Sequence, residues 1–475
     1  VDTMRPMTLG EVAKAVGCTE EYFLNHKGKI TSVSTDSRAQ PEDEDKDSCL
    51  FVALRGEIFD GHQYVGAALR NKARYALVDK KGVEEFCADI PKEQLIVCQD
   101  TERGFLDLAA YYRSKFQFRM VAVTGSAGKT TTKEMIAQVL SAQYETMKTQ
   151  GNLNNRVGLP KTLLTLDETV QAAVVEMGMN HFGEISDLTR CAKPDAAVIT
   201  NIGEAHIEYL GSREGILKAK MEIIEGMKPG SPLILNGDDD LLAGLDCPQM
   251  KKIYYGIDSE SCEVRGKEIY EENGRTTFTI VSEGQEYPAM IPTFGRHNVL
   301  DALAAFAVGR EFGMQPPVIL DALTHYKPSG MRQRVVHRKD ICVVEDCYNA
   351  GPDSMKAAIH AFGSMQRPAK GACRKIFIMG DMLELGDYAP QAHYEAGQCA
   401  VREDIDIVIC CGKHSVDAAK GAREACGRKK VYYFETKEEM ADFLLPMIKK
   451  GDILWLKASR GMKLEEVLSR LYEHF

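Results

Sequence analysis

The chain has 475 residues, too many for one compact core, and its length points to about two to four domains. Hydrophobic residues make up 44% and charged residues 27%, an ordinary balance for a globular protein, and a net charge of -10 excludes a general nucleic-acid binder, which needs a basic face. The 14 cysteines include no C-x-x-C pair, so reduced thiols are expected rather than a metal finger or a disulfide framework. With no signal-peptide pattern and no apolar run long enough to span a bilayer, a cytoplasmic protein without membrane insertion is expected.

Three regions follow one another. The first, to about residue 117, holds short apolar runs at Leu50–Leu54 and Tyr75–Val78 and closes with a helical segment from Thr101 to Phe116. Ahead of these runs, Pro41–Asp45 is acidic and reads as an exposed loop. The second region opens with the apolar strand Met120–Val123, a glycine-containing loop and a helix from about Thr130. Further buried strands are expected at Ala172–Val175, Ala196–Thr200 and Leu233–Leu235, separated by helical segments, which points to a mostly parallel sheet. Alternation from Val264 to Val281 around Asn273-Gly274 predicts a hairpin, and a helix follows over Asn298–Phe312. The third region starts near Tyr326. Its apolar runs, Ile341–Val344, Ile376–Met379, Ile405–Cys410, Val431–Phe434 and Ile453–Leu456, alternate with helices in a second doubly wound α/β pattern.

The strongest chemical signal is Thr124-Gly125-Ser126-Ala127-Gly128-Lys129-Thr130-Thr131, set between a predicted strand and a predicted helix. Glycines let backbone amides close around phosphate oxygens, a lysine here reaches the terminal phosphates, and the Thr130 hydroxyl is placed to meet Mg²⁺. Val123 stands where the longer form of this motif has its first glycine. Glu176 and His206 each follow a predicted strand, where open α/β sheets face their ligands. Singly each reads as a surface or capping residue; beside a phosphate loop they read as metal ligands. Lys220 lies on a predicted helix, and its spacing alone indicates a solvated face. Asn152 to Pro160 is dense in amides; it either caps the next helix or binds polar ligand groups, and sequence physics leaves both open.

These segments, taken in order, resemble the Mur ligase family. The match rests on Thr124–Thr131, Asn154-Asn155, Glu176-Met177-Gly178, Asn201–His206, Gly295-Arg296-His297-Asn298 and Asp346–Pro352, and it covers nearly the whole chain. Ser34–Arg38 and Leu50–His62 resemble the UDP-binding domain of the family. The Asp-Asn-Pro-Arg motif of the tripeptide-forming members is absent. Met379–Gly386, followed by His393, is similar to the members that add D-alanyl-D-alanine to UDP-N-acetylmuramoyl-tripeptide through an acyl-phosphate.

The resemblance implies a three-domain α/β protein: a small UDP-binding domain over 1–117, a central P-loop domain with a parallel sheet over 118–325 and a Rossmann-like domain over 326–475. It further implies an ATP-dependent ligase of peptidoglycan synthesis, acting as a monomer. Gly125–Thr131 would bind ATP, with Lys129 on the β- and γ-phosphates. Thr130 and Glu176 would hold a first Mg²⁺, and His206 with carbamylated Lys220 a second. Asn298 would contact the adenine, Arg332 the γ-phosphate and Asp346 the ribose, with Asn349 in the same loop. Lys129, His206, Lys220 and Arg332 would carry the chemistry. Ser34, Asp36, Ser37, Arg38, Asn154 and Asn155 would bind the UDP-muramoyl-peptide. The alternatives are another Mur-type ligase, such as the tripeptide-forming enzyme, and a nucleotide-dependent switch without ligase chemistry.

Overall fold

Buried aliphatic runs decide where the strands lie, because a strand covered on both faces must be apolar at consecutive positions. The computed structural model describes residues 4–38, 48–368, 373–425 and 429–475, and the acidic run Pro41–Asp45 falls outside them. In the first region, Ser32–Ser34, Cys49–Val52, Ala73–Asp79 and Leu95–Cys98 form a parallel sheet in sequence order. The helix Thr101–Ser114 follows, capped where the Asp100 carboxylate accepts the Arg103 amide. Its buried Phe105, Leu108 and Tyr112 belong to a core that continues into Leu159, Leu163, Ile185 and Leu188 of the second region. The Tyr112 hydroxyl also donates to the Leu166 carbonyl at 2.6 Å. The first region is thus packed firmly on the second.

The second region is built on a nine-stranded sheet. Its key elements are β1 (Arg119–Thr124), α1 (Lys129–Ser141), β2 (Ala172–Glu176), β3 (Ala196–Ile199), α2 (Arg213–Met221) and α3 (Arg296–Glu311). β1 pairs in parallel with β2 on one side and β3 on the other, so the carboxyl ends of all three open into one crevice. Thr146–Lys148 extends the sheet beyond β2, while Pro232–Asn236 and Lys251–Gly256 extend it beyond β3. The expected hairpin is present: Glu272 pairs with Arg275, and Asn273 and Gly274 both take positive φ, 51° and 74°. A third antiparallel strand, Gln285–Ile291, completes that meander. Two strands, the edge strand Thr146–Lys148 and the lysine-led interior strand Lys251–Gly256, were not singled out from the sequence. Their polar starts mask the strand pattern.

The third region holds β4 (Ile341–Asp346), α4 (Pro352–Ser364), β5 (Lys375–Gly380), α5 (Ala389–Arg402), β6 (Ile407–Cys411), β7 (Lys430–Phe434) and β8 (Ile453–Lys457). The sheet order is Arg334–Arg338, β4, β8, β5, β6, β7, with only the first strand antiparallel. Alternate residues feed two cores: Phe377 and Trp455 pack with Phe362 on one face, Ile378 and Leu456 with Leu468 on the other. Among the described residues, no helix is long and apolar enough to cross a membrane.

Candidate active site

The loop between β1 and α1 is shaped by two glycines. A Cβ at Gly125 would collide with the Thr200 hydroxyl, and Gly128 takes a φ of 81° with Asp301 directly behind it. This lets the chain turn from strand into helix with its amides facing inward. The amides of Ser126 and Ala127 converge on one oxygen, Asn201 Oδ1, at 3.0 and 2.8 Å. Such paired backbone donors at a helix start are built for an anionic oxygen. Lys129 Nζ folds over the loop and donates to the Gly125 carbonyl at 2.9 Å. Burial lowers the Lys129 pKa, Glu176 opposes that, and the charge of Arg332 lowers it further.

β2 and β3 supply the polar groups around this loop. Glu176, at the end of β2, is 2% exposed and accepts from the Thr130 hydroxyl and from Asn154 Nδ2, both at 2.9 Å. His206, beyond β3, sits at a positive φ of 65°. Burial, with the charges of Lys129 and Lys220, pushes its pKa down to about 4, so its ring is neutral at pH 7. Its Nδ1 lies 3.5 Å from Glu384 Oε2 yet is buried without a hydrogen bond. The Glu176 carboxylate and the Thr130 hydroxyl supply oxygen donors of the kind a hard divalent cation such as Mg²⁺ takes, and the orphaned His206 nitrogen faces the same cleft. Lys220 on α2 is 2% exposed, not solvated as its spacing indicated. Burial first, then the charge of Lys129, holds its amine well below the usual range.

The third region closes the other side. One cleft of about 580 Å³ is lined by Ser126–Thr131, Asn154, Asn155, Glu176, His206 and Asn298 from the second region, and by Arg332, Asp346 and Asn349 from beyond it. The Arg332 guanidinium stacks 4.1 Å over the Tyr348 ring, whose surroundings also include Arg460 at 5.1 Å. Asp346 accepts from Lys457 Nζ at 3.0 Å and from the Trp455 indole at 3.2 Å; burial raises its pKa and the Lys457 charge opposes that rise. The Asn349 side chain caps the Ala350 amide at 2.9 Å, and its carbonyl receives Lys457. Asn298 Nδ2 donates to the Phe294 carbonyl at 2.8 Å and to Gln333 Oε1 at 2.6 Å. The two regions also touch at the rim, where the Glu204 amide donates to Asp353 Oδ2 at 3.1 Å.

Some expected residues lie elsewhere or act locally. Asn155 Oδ1 receives the amides of Val157 and Gly158 at 3.1 and 2.8 Å, a capping role, while Asn154 reaches Glu176. The loop therefore caps the next helix through Asn155, while Asn154 lines the cleft bonded to Glu176. Ser34, Asp36, Ser37 and Arg38 do not line the cleft. They form a turn at the end of the strand Ser32–Ser34, where Arg38 donates to both Asp36 oxygens at 3.0 Å. Sequence reading overlooked Asn201 as the partner of the loop amides, and also Gln333, Tyr348, Arg460 and Lys457. It overlooked Asp301 too, which accepts from the Thr132 hydroxyl at 2.9 Å; burial pushes its pKa up to about 7. A buried acid on the apolar face of α3 was the signal available for Asp301. His393 fixes the Met379–Gly386 segment: its Nε2 accepts the Met382 amide at 2.9 Å.

Comparison with known proteins identifies the family. The Mur ligase middle domain matches residues 123–309, and the Mur ligase glutamate ligase domain matches residues 331–460. The UDP-N-acetylmuramoyl-tripeptide--D-alanyl-D-alanine ligase of Bacillus subtilis is 40% identical over 98% of this chain and 97% of its own. The chain belongs to the Mur ligase family. Within solved Mur ligases, MurF from Acinetobacter baumannii superposes with a TM-score of 0.88 at 29% identity, covering 99% of this chain and 100% of that one. MurF from Thermotoga maritima in complex with ADP superposes with a TM-score of 0.81 at 27% identity, covering 93% and 97%. The three-region α/β architecture of this chain is that of a Mur ligase.

Proposed function

We propose that this Mur ligase joins D-alanyl-D-alanine to UDP-N-acetylmuramoyl-tripeptide, using ATP, to form the pentapeptide precursor of peptidoglycan. The observation that carries the reading is one cleft, in a chain 40% identical end to end to such a ligase, that brings Lys129 and Arg332 together from different regions. The tripeptide carboxylate attacks the γ-phosphorus of ATP; ADP leaves and an acyl-phosphate forms. The dipeptide amine then attacks the acyl carbon and inorganic phosphate leaves.

The first step brings two anions together, and the residues answer that repulsion. Lys129 meets the phosphates from one side and Arg332 from the other, so charge spreading over the transferring group is met by cations held by both regions. Arg332 is pre-oriented by its stacking on Tyr348. Asn298, Asp346 and Asn349 are assigned to the nucleoside end of ATP, where the Gln333 and Lys457 contacts hold them in place. Thr130 and Glu176 would hold one Mg²⁺, and His206 with Lys220 a second. Bound there, the metals would offset phosphate charge. Lys220 is assigned as a carbamate. Its buried amine sits beside the Lys129 cation, which disfavours a second ammonium and favours an anion in its place. Closure of the third region on the second would exclude the water that hydrolyses an acyl-phosphate.

The UDP-muramoyl-peptide is assigned to Ser34, Asp36, Ser37 and Arg38 together with Asn154 and Asn155; the charge of Lys161 in the second region already reaches Asp36, so the turn faces that region. The proposed domain units are 1–117, 118–325 and 326–475. A monomer is proposed because one chain supplies both sides of the cleft, and a cytoplasmic setting because ATP and the nucleotide-linked precursor meet there. Phosphate release from ATP tests the reading. Release should require UDP-muramoyl-tripeptide and D-alanyl-D-alanine together, and release with either alone at the full rate would refute it.

A further inference from the structure

Outside the cleft, α4 and α5 run side by side and carry a row of paired side chains. Lys356 Nζ meets Glu395 Oε2 at 2.9 Å. One turn further along each helix, His360 faces Cys399, with His360 Nε2 3.8 Å from Cys399 Sγ. The far side of the same imidazole is held by Glu403, whose Oε1 lies 2.6 Å from His360 Nδ1. Sulfur, imidazole and carboxylate thus stand in line, the order in which a base is oriented by a third group beside a nucleophile. The His360 side chain is 61% exposed and Cys399 is only partly buried, so the row is open to solvent. None of the three residues lines the cleft.

The other cysteines differ. Of the 13 described, only Cys262, Cys342 and Cys373 share this partial exposure, and the rest are buried. Burial pushes the Cys262 and Cys373 thiols up and that of Cys342 up to about 11, and none of them has a histidine against its sulfur among the hydrogen bonds of the described residues. At Cys399 an imidazole stands against the sulfur instead. Contact with Cys399 and Glu403 raises the His360 pKa to about 9, so the ring is a cation at neutral pH. A cation against a sulfur favours the ionised, nucleophilic form of that sulfur.

We propose that Cys399, positioned by His360 and Glu403, is a modification site at which this protein exchanges with small-molecule disulfides. The Cys399 thiolate attacks one sulfur of the disulfide and a new S–S bond forms. The old S–S bond breaks, and the second sulfur leaves as a thiolate that takes a proton from water. The protein sulfur is oxidised, the departing half is reduced, and no further oxidant is needed. His360 and Glu403 are positioning residues in this scheme.

The test uses the full-length protein, glutathione disulfide as the probe and peptide mass mapping. The first glutathione adduct should appear on Cys399. His360→Asn should slow that adduct by about tenfold near neutral pH, and Glu403→Gln by a smaller factor. The pH profile separates this from simple exposure. Between pH 8 and 6.5, the His360→Asn rate should fall by about tenfold per unit, as for an unassisted thiol, and the wild-type rate should fall less. Ligase turnover should survive both substitutions, which shows that the variants are folded. First labelling at any other cysteine, including Cys426, which lies outside the described residues, would overturn the proposal. So would a His360→Asn protein with the wild-type rate and profile.

Discussion

The two sides of the cleft are built by different means. On the second-region side, β1, β2 and β3 end together, and the phosphate loop and its neighbours are tied through bonds with a backbone group at one end: loop amides on Asn201 Oδ1, Lys129 on the Gly125 carbonyl, the Glu176 amide on Thr149 Oγ1 at 2.9 Å. On the third-region side, the charged groups are anchored by other side chains: Arg332 on Tyr348, and Asp346 on Lys457 and Trp455. Backbone anchoring tolerates little change in chain path, so it leaves a motif. Side-chain anchoring leaves scattered residues that acquire meaning only when the fold assembles them.

That contrast can be tested by substitution. Lys129→Ala should have the largest effect, lowering kcat by about three orders of magnitude while the far-ultraviolet circular dichroism stays unchanged. Near-normal turnover would remove the phosphate role of the loop. Arg332→Ala should lower kcat by about a hundredfold, and Tyr348→Ala by less, because the ring only orients the guanidinium. Equal losses in the two variants would mean that Tyr348 acts directly.

Lys220→Ala should also lose most activity, and a short-chain carboxylic acid added in solution should restore part of it by supplying the missing anionic oxygen. Wild-type turnover in Lys220→Ala would eliminate the carbamate. The smaller effects concern stability. Asp301 has a folded pKa raised to about 7, so its contribution is present below the usual carboxylate range and lost as pH rises toward 7. The melting temperature of Asp301→Asn, relative to wild type, should therefore climb between pH 4 and pH 7. A constant difference would show that the acid is already ionised in the fold. Asn155→Ala should cost about 1 kcal/mol of local stability, seen as faster amide exchange at Val157 and Gly158.

Much of the fold was legible because consecutive buried residues announce parallel strands. Val121–Val123, Ala172–Val175, Ile376–Met379 and Ile453–Leu456 all lie within strands. Gly125–Thr131 was legible because its glycines are demanded by a collision with Thr200 and a positive φ. Lys220 was misread as solvated, since helical spacing does not reveal what α2 packs against. Asn201 and Asp301 escaped notice because their partners, the loop amides and Thr132, are distant in sequence. Arg332, Asp346 and Asn298 were reachable only through the family resemblance.

The central claim is that Lys129 and Arg332 act on one phosphoryl group from opposite sides. A double-mutant cycle on kcat/KM for pentapeptide formation tests it most directly, using Lys129→Ala, Arg332→Ala and the double variant. The account predicts strong coupling, with the double variant losing much less than the product of the two single losses. Losses that multiply to within about 0.5 kcal/mol of additivity would place the two cations on separate tasks and contradict it.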